Sequence, residues 1–238
     1  MFKIGRRSQS WYGESIGILI LDAAYPCIPG NVGNARTYPF PVRYHQVEGA
    51  SIDRLLNQAD PALVTPFIEG AQKLQSEGVK AITGACGFMA LFQREVAAAV
   101  EIPVFLSPLL QIPFIAHITG RPVGVITANA SRLTPAHFAA CGVAPEIALH
   151  IAGMEGQPEF RTAILEEKGT LDSVLIEEEV RTIAADLVRR HPRIGTILLE
   201  CSDLPPYAQA VQAVTGRPVF DFNSMIHHVE RACVARCY

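Results

Sequence analysis

Cys86 and Cys201 each close a short apolar run, Ala81-Ile82-Thr83-Gly84-Ala85-Cys86 and Gly195-Thr196-Ile197-Leu198-Leu199-Glu200-Cys201. A thiol at the carboxyl end of a strand stands where open parallel sheets hold their ligands. Two such thiols facing one another would flank a single carbon. One, as thiolate, can take a proton from one side; the other, as thiol, can return a proton to the opposite side. The charge that develops on a carbon acid spreads into its carboxylate, where backbone donors stabilise it. Helices are expected to begin near Met89 and Pro205, and a helix start offers free N–H groups and a partial positive charge that favour both carboxylate and thiolate. Gly87, Phe88, Ser202 and Asp203 are the candidates to line that position.

The elements that must position these thiols can be read from the pattern. Apolar runs at Ile16–Leu21, Val79–Thr83, Val104–Leu106, Val123–Thr127, Ile147–Ile151, Ile194–Leu199 and Val219-Phe220 read as strands. They lack alternation, as strands buried on both faces of a parallel sheet do. Amphipathic stretches at Pro61–Glu77 (closed by Gly78) and Leu175–Arg190 (ended by His191-Pro192) read as helices, with Pro205–Val214 and Ser224–Cys237 as two more. Strand–helix alternation from end to end predicts an α/β fold.

An internal repeat refines this. Ile16-Gly17-Ile18-Leu19-Ile20 resembles Val123-Gly124-Val125-Ile126-Thr127, and a cysteine-ending strand follows each, 69 residues from Gly17 to Cys86 and 77 from Gly124 to Cys201. The expected architecture is two pseudo-symmetric Rossmann-like lobes, each with a mostly parallel sheet flanked by helices, and an active site in the cleft between them. The first lobe is assigned to residues 1–119 and the second to 120–217, with 218–238 a candidate for packing back onto the first.

Composition narrows the function. The 238 residues are 49% hydrophobic and 18% charged, with mean hydropathy +0.22 and a formal net charge of -3. That composition is not that of a disordered chain. With 20 Lys and Arg against 23 Asp and Glu, and no basic block, a nucleic-acid partner is not expected. The most apolar long stretch, Val96 to Thr119, is broken by Glu101, three prolines and His117, so no membrane span is expected. Arg6-Arg7 is followed by an apolar run too short for an export signal, and a cytoplasmic location is expected. The six cysteines contain no Cys-x-x-Cys pair, so neither a zinc ribbon nor a redox motif is available. Cys233 and Cys237 with His227 and His228 form a conceivable metal site, but small apolar packing explains the cysteines better. No metal or cofactor is expected.

The paired strand-end cysteines in two similar lobes resemble the aspartate/glutamate/hydantoin racemase superfamily. Gly84-Ala85-Cys86-Gly87-Phe88 stands in the place of the family's first cysteine motif, and Leu199-Glu200-Cys201-Ser202-Asp203-Leu204-Pro205-Pro206-Tyr207 in that of its second. The resemblance implies cofactor-independent racemisation or epimerisation of a small chiral carboxylate or amino-acid derivative, with Cys86 and Cys201 as opposed acid and base, and a homodimer. Glutamate-specific members carry Asn-Thr and Thr-His after the two cysteines. Gly87-Phe88 and Ser202-Asp203 depart from that, so strict glutamate specificity does not carry over. Related members isomerise maleate or decarboxylate malonates; the decarboxylases keep only the second cysteine, and the presence of both here favours two-sided proton transfer. A dicarboxylate isomerase, a malonate-type decarboxylase and a non-catalytic two-lobed carboxylate-binding protein are the alternatives.

Other residues carry two readings each. Asn31, in Pro29-Gly30-Asn31-Val32-Gly33-Asn34, either binds substrate carboxylate or belongs to an ordinary turn. Thr127 and Asn129 occupy the symmetric strand end of the second lobe and are candidate donors to substrate, with Ser131 beside them. Asp22 either orients a thiol or caps a loop. Asp203 either assists a thiol or caps the next helix. Arg43 either pairs with a distal carboxylate or lies on the surface. Glu200 is a carboxylate at a buried strand end, where it would raise a neighbouring thiol's pKa by like charge. Cys27 and Cys141 read as loop or core residues.

Overall fold

A computed structural model of the chain describes residues 11–235, so Arg6-Arg7 and Cys237 lie outside the described residues. Two four-stranded sheets are present, each parallel throughout. The first contains β1 (Ile16–Ile20), β2 (Val42–Gln46), β3 (Ala81–Gly84) and β4 (Val104–Phe105) in the order β2-β1-β3-β4. The second contains β5 (Val123–Thr127), β6 (Leu149–Gly153), β7 (Thr196–Leu199) and β8 (Val219–Phe220) in the order β6-β5-β7-β8. The orders are superimposable: the strand that opens each lobe lies second, flanked by the next two. The two-lobed α/β architecture expected from the repeat is the architecture found.

The repeated glycine has a packing reason. A Cβ at Gly17 would come within 2.9 Å of the Leu74 side chain, and one at Gly124 within 2.8 Å of Ile197 and 3.2 Å of Leu187. Leu74 belongs to α1 (Val64–Ser76) and Leu187 to α6 (Ser173–Arg190). A bare backbone at these two positions lets each long helix settle on its sheet. α1 follows a 3-10 turn at Pro61–Leu63, so the helical stretch read from Pro61 is tight in its first turn. Asp172 caps α6 by accepting from the amides of Val174 and Leu175.

β2 escaped the sequence reading. Its residues, Val-Arg-Tyr-His-Gln, show no apolar run, because an edge strand half open to solvent needs none. Arg43 on this strand bonds Glu14 through Nε and Nη2 at 2.8 Å each and lies 3.5 Å from Glu77. It opposes Gly17 near the amino end of β1, away from the strand ends where ligands bind, so the pairing with a substrate carboxylate is set aside.

The remaining helices are α2 (Gln93–Ala98), α3 (Ile112–Thr119), α4 (Pro135–Ala140), the single turn α5 (Pro158–Phe160), α7 (Ala208–Thr215) and α8 (Phe222–Cys233). Each lobe lends its last helix to the other. α3 packs on β5 and β7, whereas α8 packs on β3. Phe222, Met225 and Ile226 of α8 join Ile16, Ile18 and Ala81 in one buried cluster on the first sheet. Among the described residues no helix is long and apolar enough to cross a membrane.

Candidate active site

Cys86 and Cys201 each follow the last residue of their strand, Gly84 and Leu199, by two positions. The strands β3 and β7 hold matching places beside β1 and β5, so the two sulfurs are presented from matching points of the two sheets. Both cysteines line one cavity of about 20 Å³ between the lobes, Cys86 partly exposed and Cys201 buried. That volume holds about one water molecule, so the two cysteines border one small shared space.

The thiols have different neighbours. The backbone N–H groups of Phe88 and Met89, in the 3-10 turn Gly87–Phe92, donate to Cys86 and favour its thiolate. Burial outweighs them and pushes the Cys86 pKa well up, with Glu200 adding to the rise. Cys201 Sγ donates to Asp203 Oδ2 at 3.3 Å. Burial, then the Asp203 charge, raises the Cys201 pKa far above the usual thiol range. Asp203 is itself pushed up by burial, against hydrogen bonds from Cys201, Asn31 and Tyr25. A charge on either of the two groups therefore disfavours ionisation of the other.

Asn31 Nδ2 donates to Asp203 Oδ1 at 2.5 Å, while its own Oδ1 accepts from the Gly33 amide at 2.7 Å. Asn31 thus fixes the Asp203 carboxyl from the other lobe and lines an adjoining cavity of about 80 Å³. Ser202 lines the thiol cavity, but its hydroxyl is committed to the Ala85 carbonyl at 2.7 Å. It ties the two cysteine segments together.

Four expected substrate contacts lie elsewhere. Phe88 is buried with its ring edge-on to His137, centroids 5.1 Å apart, so only its amide faces the site. Gly87 is buried against Glu200 rather than open to the cavity. Thr127 is fully buried and donates to Glu200 Oε2 at 2.7 Å. Asn129 Oδ1 is occupied by the amide and hydroxyl of Ser131, a local turn outside the cavity wall. For Gly87 and Thr127 the reason is Glu200, which lies against both. Asp22 is exposed, accepts from Gln46 and is not among the residues that line either cavity. Of the other histidines and cysteines considered, His227 packs against the rings of Tyr38 and Phe40.

The sequence reading missed the roof and Tyr25. Tyr25, in the loop after β1, hydrogen-bonds Asp203 and stands in the wall of both cavities. Ile52 and Leu56 close the thiol cavity from the first lobe, and Ile164 and Leu165 from the second. Both pairs sit at matching π-helical segments, Asp53–Asn57 and Arg161–Leu165. Each segment ends near a non-glycine residue of positive φ, Ala59 at 48° and Glu167 at 51°. Glu167 Oε1 also accepts from the Ala24 amide at 2.6 Å, latching the second roof to the first lobe. The available signal was position: the loop after the first strand of an open sheet lies at the ligand edge.

Comparison with known proteins places this geometry in a family. The model of the Asp/Glu/Hydantoin racemase family matches residues 40–230. The chain belongs to that family. Among solved structures it resembles allantoin racemase from Pseudomonas fluorescens, with a TM-score of 0.62 over 91% of this chain and 89% of that one at 16% identity. Among curated proteins, it is 34% identical over 227 residues to dimethylsulfoniopropionate lyase 6 of Emiliania huxleyi (strain CCMP1516), covering 89% of this chain and 59% of that protein. It is 31% identical over 215 residues to dimethylsulfoniopropionate lyase of Durusdinium sp. clade D, covering 87% and 71% respectively. The chain thus spans about three fifths of the length of the first of these relatives. The relatives of this chain thus include proteins named as lyases.

Proposed function

We propose that this chain removes a proton alpha to a carboxylate with its cysteine pair, and that the reaction is a β-elimination from a β-sulfonio propionate of the dimethylsulfoniopropionate type. One observation carries the substrate class. The wall of the thiol cavity contains a carboxyl, Asp203, and an aromatic ring, Tyr25, but no lysine, arginine or histidine. A dicarboxylate would meet an acid there with no cation to offset its second charge. A substrate with a cationic sulfonium end meets a carboxyl and a π-face, both attractive to it. The identity to two dimethylsulfoniopropionate lyases supports the same class.

The step follows from the different neighbours of the two thiols. Cys86, with two amide donors, is suited to act as thiolate; Cys201, donating to Asp203, is suited to remain a thiol. A bound cation lowers the pKa of both the thiols and Asp203, so the thiolate forms when substrate is present. The Cys86 thiolate takes the α-hydrogen as a proton and becomes a thiol. The C–H electron pair forms the new carbon–carbon double bond, the β-carbon–sulfur bond breaks, and its pair leaves on a neutral sulfide. The products are an acrylate and dimethyl sulfide, and the proton on Cys86 returns to water. The cavity is too small for the substrate and must widen to admit it, and the apolar side chains at the two π-helical segments border it.

The second reading is racemisation or epimerisation by two-base transfer, favoured by the presence of both thiols in one cavity. The test is incubation with dimethylsulfoniopropionate in deuterated water. Dimethyl sulfide in the headspace and acrylate by NMR are expected. In parallel incubations with chiral acids such as aspartate, deuterium entering their α-carbon, with no sulfide released from dimethylsulfoniopropionate, would transfer the assignment to racemisation.

A further inference from the structure

Glu200 is fully buried between the end of β7 and Cys201, and the step above does not use it. Its Oε2 accepts from Thr127 at 2.7 Å; its Oε1 has no hydrogen-bond partner. The side chain lies under the turn that follows Cys86. A Cβ on Gly87 would run into the Glu200 carboxyl oxygen and come within 2.5 Å of the Glu200 carbonyl oxygen. The acid from one lobe thus fills the space beneath the thiol of the other, and glycine at 87 is the residue that admits it.

Among the described residues, the groups around Glu200 offer no positive charge. Cys86 faces it from the Gly87 turn and Cys141 from the end of α4. Cys201 and Asp203 follow on its own segment. His137 of α4, packed on Phe88, is kept neutral by burial, which drops its pKa to about 4. A carboxylate without a cation in such a place is costly, and neutralisation is the usual resolution. Burial pushes the Glu200 pKa up to about 7, against the Thr127 bond. A glutamine of the same shape would satisfy Thr127 equally well, so the hydrogen bond alone gives no reason for an acid.

We propose that Glu200 is a positioning residue acting through Cys86: its neutral carboxyl braces the Gly87 turn, and its ionisation sets a negative charge against the Cys86 thiolate and suppresses it. The proposal rests on the reading of Cys86 as a proton-transferring thiol, but the test needs no substrate. Iodoacetamide alkylation is followed at Cys86 by peptide mass spectrometry across pH. Glu200→Gln keeps the shape and the Thr127 bond while removing the charge. Alkylation of Cys86 is expected to accelerate on the order of tenfold at about pH 8 to 9, one pKa unit being tenfold, with little change near pH 6 where Glu200 is neutral. Thr127→Val, which removes the bond that favours the carboxylate, is expected to give a smaller rise in the same direction. Infrared spectra of the parent minus those of Glu200→Gln should show a neutral carboxylic-acid carbonyl band that fades as pH passes through about 7. Equal alkylation rates in parent and Glu200→Gln across the range would overturn the proposal, as would the absence of the band. If Thr127→Val is the better-folded variant, parent-like rates in it would have the same consequence. Separated rates together with no sulfide from dimethylsulfoniopropionate would leave Glu200 standing and remove the substrate assignment.

Discussion

The Cys86 and Cys201 ends of the cleft share a backbone and differ in chemistry. Both sulfurs follow equivalent strands by two residues and both receive amide hydrogens, two at Cys86 and one, from Asp203, at Cys201, yet only Cys201 also gives its hydrogen to a carboxyl. The residue after Cys86 is a glycine pressed against Glu200; the residue after Cys201 is a serine bonded across to Ala85. The repeat therefore supplied two equal places for a thiol, and the residues on either side give them different surroundings. A symmetric site suits a reaction that runs equally in both directions. Divided neighbours suit one that takes a proton at one face and lets a leaving group depart.

The largest effect should separate those cases. Cys86→Ser is expected to lower the elimination rate by about 10³ or more, and Cys201→Ser by about 10², within the range for removing a positioned acid or base. Equal losses, measured by sulfide release at saturating substrate, would restore the symmetric two-base reading. Next comes the buried acid beneath them. A carboxyl whose pKa rises from 4.5 to about 7 on folding holds its proton more tightly in the folded chain. Its contribution is fully present below pH 4.5 and fades as pH climbs through 7, a loss on the order of 3 kcal/mol. Urea unfolding of Glu200→Gln should lack that part of the decline, and coincident pH profiles for parent and variant would count against a neutral Glu200.

A smaller contrast tests the residues that follow the thiols. Gly87→Ala forces a methyl into Glu200 and should cost about 1–3 kcal/mol by overpacking. Ser202→Ala removes one hydrogen bond and should cost about 1 kcal/mol. Reversed costs in denaturant titrations would mean that the inter-lobe serine bond, not the Glu200 contact, holds the segments together. The smallest effect lies in the roofs. Ala59→Gly relieves a left-handed alanine and is expected to be neutral or to stabilise by up to about 1 kcal/mol. Glu167→Gly relieves the same strain but loses the bond to Ala24, so it should gain less. A larger rise in melting temperature for Glu167→Gly would show that the latch contributes nothing.

The fold was legible because its markers have packing causes. Gly17 and Gly124 mark the strands on which the long helices rest, and Cys86 and Cys201 mark the ends of the strands beside them. The edge strand Val42–Gln46 was hidden because only buried strands require unbroken apolar runs. Asp203, Ser202 and Asn31 were legible from their proximity in sequence to strand ends, and the structure gathers them around the thiols. Thr127 was misjudged because a strand-end hydroxyl in an empty cleft and one beneath a buried acid look alike in one dimension. Tyr25 bonds a residue far along the chain, a pairing that local periodicity does not encode.

The exchange of terminal helices bears on how such a molecule could be taken apart. α3 belongs by sequence to the half that precedes it but covers the sheet that follows, and α8 repeats the arrangement in reverse. A cut at the midpoint would strip a lid of apolar side chains from each piece and leave it on the wrong one. Two fragments separated there should be insoluble alone and recover a native form only when mixed, so the duplicated halves have become obligate companions rather than interchangeable modules.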